Sequence, residues 1–314
     1  MHLNGKGDAL DYNFSKFIEP SKCKKLYSDI YLNTVQDKIY KELENNNIDD
    51  LDVLIATPPC QGMSVANHKK NDNEIKRNSL VVESIKIVKE IKPKFFIFEN
   101  VRAFLDTFCT DIDNQDKPIQ ETINLNLCGN YNILFKVINF KDYGSQSSRT
   151  RTLVIGVRKD LINISPEQLF PKEQNAKTLR KLISDLEPLK NMGEICKNDI
   201  YHSFRNFDTK MLAWIENIKE GQSAFDNIEK ERIPHKIENG KIVFNKNKNG
   251  DKYSRCYWDK IAPCVHTRND ILASQNTVHP SDNRVFSIRE LMLMMTIPND
   301  FKWSNKEFET LNNL

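Results

Sequence analysis

Apolar residues recur along the chain with two different periods, and their alternation predicts an α/β order of elements. Leu51–Ala56 is a run of β-favouring residues, and Pro58 and Pro59, which cannot donate to a sheet ladder, should end a buried strand there. From Ser79 to Ile91 the positions Val81, Ile85 and Val88 share one helical face, and Pro93 stops the helix. Lys94–Val101 is again continuously apolar, a second buried strand that runs straight into Glu99. A helix over 119–127 and strands over 133–138 and 152–157 follow, then a helix over 176–186. From His202 to about Gly250 apolar content falls while Asn, Lys and Gly accumulate, which marks a small second domain or arm. The last periodic stretch, Ser287–Met295, opens with Ser287 and Glu290 at capping-box spacing.

Composition narrows the class. The 314 residues are 39% hydrophobic and 28% charged, enough for one large domain and a smaller one. No apolar run approaches a membrane span, and the polar N-terminal residues, with Lys6 and Asp8, do not form a signal peptide. Seven cysteines without a CxxC pair suit reduced thiols and a cytoplasmic location. Cys256, Cys264, His266 and His279 lack any standard zinc spacing, so no metal is expected. The net charge of +3 is small, but its distribution is uneven. Between Gly240 and Lys260 stand Lys241, Lys246, Lys248, Lys252, Arg255 and Lys260 against Asp251 and Asp259, with Tyr253, Tyr257 and Trp258 interleaved. That pattern fits phosphate contact and base reading, and equally a solvated Lys/Asn-rich loop.

The chemistry concentrates at the ends of the two apolar strands. In an open α/β sheet, ligands gather outside the carboxyl ends of the strands. Cys60 follows the Pro-Pro pair there, on a stiff support that suits a nucleophile, although a lone Cys equally reads as a small buried hydrophobe. Pro58-Pro59-Cys60-Gln61-Gly62 with Ser64 resembles the catalytic loop of the DNA (cytosine-5) methyltransferases. Glu99-Asn100-Val101 resembles the second catalytic element of that family, and Tyr143-Gly144 through Arg149-Thr150-Arg151 its arginine segment. Ile261–Arg268 and Arg284–Leu291 are similar to the block that braces the recognition domain. The elements occur in family order over residues 26 to 303.

The resemblance implies a Rossmann-like, class I S-adenosylmethionine-dependent methyltransferase core of α/β class, with a small target-recognition domain. It implies that Cys60 attacks C6 of cytosine, Glu99 holds the N3 and N4 edge, Arg151 reaches O2 and Arg149 the flanking phosphate. S-adenosylmethionine is the implied cofactor, with Asp29 and Ile30 at the adenine and Pro59 and Leu80 nearby. Asp29 reads as well as a turn or helix cap, and Leu80 as plain core. The implied partner is double-stranded DNA, met by Gln61, Ser64, Lys246, Lys248, Lys252 and Arg255. The expected division is a catalytic core over 1–185 with a partial cofactor site, a recognition region over 186–280, and a bracing helix over 281–314. Two family elements are not found: the Phe-x-Gly-x-Gly turn at the methionine end of the cofactor, and a Gly-Asn-x-Val helix that packs beside it. The expectation is therefore a two-chain enzyme of a bacterial restriction-modification system, a heterodimer whose second subunit supplies both. An RNA cytosine-5 methyltransferase and a catalytically silent DNA-recognition subunit are the alternatives.

Overall fold

A computed structural model describes residues 41, 43–47, 50–58, 80–247 and 250–301. Of the residues singled out above, Asp29, Ile30, Pro59, Cys60, Gln61, Ser64 and Lys248 lie outside the described residues. The chain divides into two compact units, one of residues 1–138 and 150–171, the other of 139–149 and 172–314.

The first unit is built on a four-stranded sheet. Its elements are β1 (Val53–Ala56), α1 (Leu80–Ile91), β2 (Phe95–Asn100), the short pair β3 (Phe108–Thr110) and β4 (Asp116–Pro118), α2 (Ile119–Leu127), β5 (Tyr131–Asn139) and β6 (Thr150–Arg158). The strand order is β1-β2-β6-β5. β1 and β2 run parallel, and β6 pairs antiparallel to β2. Parallel neighbours need a crossover, and among the described residues α1 is the helix between these two. Its buried residues include Val81, Val82, Ile85 and Val88, and they join Phe96, Phe98, Phe104, Ile119, Ile123, Leu127, Tyr131 and Val154 in one core. The Phe96 ring lies over Gly156 of β6, where a Cβ would come within 1.9 Å of it. Only glycine fits that register position. β1 departs from the buried strand expected of it: Val53 is 46% and Ile55 66% exposed. Among the described residues it pairs with β2 alone, so only Leu54 and Ala56 pack against the core.

At the amino end of the sheet, Arg158 binds the chain together. Its guanidinium donates to both carboxylate oxygens of Asp50, to Asp160 and to the carbonyl of Lys92. Lys94 adds an ion pair to Asp52 at 2.7 Å. Structural charge thus sits at one end of the sheet, away from the carboxyl ends of β1 and β2.

The second unit contains α3 (Leu179–Ile183), the hairpin β7 (Ile195–Cys196) and β8 (Asp199–Ser203), α4 (Leu212–Ile215), the ribbon β9 (His235–Glu238) and β10 (Lys241–Phe244), and α5 (Ile288–Met294). The helix read over 176–186 is shorter than its pattern, since Thr178 caps it and Ser184 closes it. The capping box of α5 forms as spaced: Glu290 N–H donates to Ser287 Oγ at 3.1 Å, and Ser287 N–H donates to Glu290 Oε2 at 2.7 Å. Glu290 is buried and also accepts two hydrogen bonds from Arg284, at 2.8 and 2.9 Å. A buried carboxylate needs that much compensation.

His279 lies against this pair. Its Nδ1 accepts from the backbone amides of Asp282 and Ser281, which requires an unprotonated nitrogen. Burial, with Arg284 and Arg255 close by, drives its pKa down to about 4, against the opposing pull of Glu290 and Asp282. An unfolded chain would protonate this imidazole below about pH 6.5. The folded pKa is the lower one, so the stability contribution is whole above pH 6.5 and is lost as pH falls toward 4. We expect the unfolding free energy from denaturant titrations to drop through that window, by up to about 1.4 kcal/mol per pH unit. His279→Asn, which keeps an acceptor for Asp282, should flatten the slope. An unaltered slope would show that another group titrates.

Candidate active site

β2 carries Glu99 to the carboxyl end of the sheet, where alternation turns its side chain away from the core face occupied by Phe96 and Phe98. Glu99 is half-buried and meets Arg151 of β6, with Nε to Oε1 at 3.0 Å and side-chain exposures of 29% and 17%. The closest approach of the pair is between the guanidinium's Nε and one carboxylate oxygen. Arg151 Nη1 also donates to the carbonyl of Thr150 at 2.7 Å, which fixes the fork against its own strand. A carboxylate and an arginine held edge to edge can present a donor and an acceptor array to a planar, hydrogen-bonding ligand.

The neighbouring residue, named in the sequence only as part of a motif, makes a tie that the sequence did not reveal. Asn100 is 3% exposed. Its Nδ2 donates to the carbonyl of Pro58 at 2.8 Å, and its Oδ1 accepts from the amide of Val101 at 2.8 Å. One buried amide thereby ties the end of β1, two residues before Cys60, to the end of β2 beside Glu99. Thr152 does the same for β6: buried, it donates through Oγ1 to the carbonyls of Val101 and Arg102. The signal was available in principle, because a polar residue that ends an apolar strand must find a partner.

Arg149 belongs to the second unit and precedes β6. Its amide donates to Asn139 Oδ1 at 3.0 Å and its carbonyl accepts from Phe140 N–H at 3.0 Å. The guanidinium donates to Cys264 Sγ at 3.4 Å and to the carbonyl of Val265 at 3.5 Å. Both contacts are made by Nη1.

A profile of the family "C-5 cytosine-specific DNA methylase" matches residues 10–311. The chain belongs to that family. It is 31% identical over 307 residues to the Type II methyltransferase M1.HgaI of Avibacterium volantium, covering 88% of this chain and 79% of the relative. To the Type II methyltransferase M1.HphI of Haemophilus parahaemolyticus it is 29% identical over 303 residues, 92% of this chain and 72% of the relative. Among solved structures, a prophage-encoded DNA modification methyltransferase of E. coli superposes with a TM-score of 0.57 at 20% identity, covering 86% of this chain and 74% of that one. The Spodoptera frugiperda DNMT2 structure gives 0.50 at 13% identity, covering 91% and 78%. The fold is that of the class I S-adenosylmethionine-dependent methyltransferases.

The cofactor of this cytosine-5 methylase family is S-adenosylmethionine. Of the residues expected to hold it, Leu80 is described: it opens α1 and is half-buried. An apolar, partly open side chain at the helix that follows β1 suits a purine face, and the parallel ends of β1 and β2 lie where such folds take nucleosides. Leu80, the one described residue of the four, has the apolar and partly open character that the adenine side of the cofactor would need.

The residues expected on DNA behave differently from one another. Lys246 and Lys252 are exposed, and Lys252 Nζ donates to the carbonyl of Lys246 at 3.3 Å. Arg255 is buried, 5% exposed, and its five N–H groups are all spent on protein. They reach the carbonyls of Ile218, Ile215, His279 and Asp282 and the side chain of Asn283, at 2.6 to 3.0 Å. It is a core cation and is not carried forward as a DNA contact. Two of the interleaved aromatics are likewise structural. Tyr253 packs edge-on to Trp214, and Trp258 packs edge-on to His279. Tyr257 is 40% exposed, with Lys260 Nζ 3.5 Å from its ring centroid.

The Asn100 tie gives a measurable expectation for this methylase. Asn100→Ala should lower the methylation rate constant by about 10²-fold, the effect of misplacing a catalytic loop by about 1 Å. KM for DNA should change little, because Asn100 itself is buried. Asn100→Asp keeps the acceptor for Val101 but loses the donor to Pro58, and should fail nearly as badly. Steady-state kinetics that show both variants near the wild-type rate would refute a positioning role.

Proposed function

We propose that this chain is the catalytic and target-recognising polypeptide of a DNA cytosine-5 methyltransferase from a modification system, acting through a covalent adduct on Cys60. The observation that carries the reading is the Glu99–Arg151 pair at 3.0 Å, on the strand end that Asn100 ties to Pro58. The target base must leave the stack to reach this place. Glu99 holds the N3 and N4 edge of the cytosine and favours a proton on N3, while Arg151 donates to O2 and Arg149 to the flanking phosphate. The Cys60 thiolate adds to C6; an S–C6 bond forms and the C5=C6 electron pair moves to C5. S-adenosylmethionine, when bound, supplies the electrophilic methyl group that C5 acquires. Loss of the C5 proton to a base then restores C5=C6, and the C6–S bond breaks with sulfur leaving as thiolate. Residues 186–280 form the recognition region, with Lys246, Lys248 and Lys252 at phosphates and Gln61 and Ser64 near the extruded base.

The cofactor pocket is completed from outside these 314 residues, in the two-chain reading by a second polypeptide. Asp29, Ile30, Pro59 and Leu80 serve the adenine side, and the Phe-x-Gly-x-Gly and Gly-Asn-x-Val elements, not found in these 314 residues, are supplied from outside them. Calorimetric titration should find weak or no S-adenosylmethionine binding to this chain by itself. Tight binding would remove the need for the partner.

The adduct is tested with a duplex bearing 5-fluorocytosine, whose fluorine cannot leave as the proton does. With cofactor and candidate partner supplied, the protein should become linked to this DNA through a bond that survives denaturant. Cys60→Ser should abolish the link, since a hydroxyl is a far weaker nucleophile at neutral pH. A link that survives the substitution would remove Cys60 from the mechanism.

A further inference from the structure

The ribbon of β9 and β10 is the part of the second unit that its core leaves uncovered. Its register pairs Ile237 with Ile242, and His235 with Phe244. Alternation puts those four on one face and leaves Lys236, Glu238, Lys241 and Val243 on the other. Seven of the eight strand residues are exposed; Ile237 is 71%, Phe244 44% and Ile242 43% exposed. The ribbon is nevertheless tied at both ends. Asn239 and Gly240 both take positive φ, 50° and 73°, the two-residue turn that matches strand twist. At the root, Asn245 N–H donates to the Pro234 carbonyl at 2.9 Å, and the His235 ring lies 5.6 Å from that of Trp214.

A two-stranded ribbon is marginal in water unless something covers it. Charge says what. Lys236, Lys241 and Lys246 stand against Glu238 alone, with Lys236 paired to Glu238, so the ribbon suits a polyanion. A major groove about 12 Å wide admits a two-stranded ribbon, and strands of this length extend about 13 Å. Branched apolar side chains on such a ribbon meet the 5-methyl group of thymine. We infer that β9 and β10 form the base-reading element of this chain, inserted into the major groove with Ile237 and Ile242 against base edges and Lys241 and Lys246 at phosphates. The inference rests on the DNA-methyltransferase reading and adds to it the element that sets the sequence preference.

The test is binding of the full chain to a pool of randomised duplexes at fixed salt, with sequencing of the bound fraction. The wild type should enrich a motif. The double variant Ile237→Ser/Ile242→Ser should lose enrichment at one or more positions and bind the wild-type motif about tenfold more weakly per lost contact. Its melting temperature and its affinity for unrelated duplex should stay within error, since both residues face solvent. Lys241→Ala should instead weaken all duplexes alike and reduce the salt slope by about one. The same motif at the same affinity from the double variant would overturn the inference. So would an intact motif with loss of self-association or of partner binding, which would make the ribbon a protein interface. A wild-type pool without any motif would overturn the recognition reading itself, and the ribbon's role with it.

Discussion

Two parallel strands must end side by side for this site to exist, and the Asn100 side chain is what holds their ends. The sheet ladder fixes Val53 through Ala56 against Phe95 through Phe98, but it stops before the residues that matter. Pro58 cannot extend it, because proline has no amide hydrogen. The hydrogen bond from Asn100 to the Pro58 carbonyl replaces the missing ladder step. Buried, it is stronger than a similar contact in water, and leaving either partner unmet would be costly. Glu99 thus stands beside the residue whose side chain holds the chain just past the end of β1.

Charge is handled in two contrasting ways at two places in this chain. In the first, Arg158 and Lys94 form exposed pairs at the amino end of the sheet, where each contributes little beyond fixing chain direction. In the second, Arg255, Arg284, Glu290 and His279 are buried together. Desolvation there is offset only by full hydrogen bonding, which makes this region sensitive to any change that removes one partner.

The strands and helices around the site were legible in the sequence because each carries a period that survives burial: Val81, Ile85 and Val88 on α1, the apolar run into Glu99, and the Ser287–Glu290 cap. The family resemblance was equally legible, from motifs that each lie within a few consecutive residues. What the sequence concealed was long-range satisfaction. Arg255 sits in a basic, aromatic-laced stretch and reads as a DNA contact, yet its acceptors come from residues 215 to 283, which no local pattern announces. Asn100 was read as part of a motif, without its partner 42 residues earlier. The exposure of β1 was hidden for a related reason: an apolar run shows that a strand can be buried, whereas pairing decides whether it is.

The buried guanidinium of Arg255 also determines where this protein can be cut and rejoined. Its acceptors span Ile215, Ile218, His279, Asp282 and Asn283, so the segment between them behaves as one module closed around a single cation. A segment exchanged along a boundary inside 215–283 would separate the arginine from the carbonyls that accept from it. Grafts that move the whole interval would carry the closure with them, which makes this one side chain a guide to the natural unit of exchange.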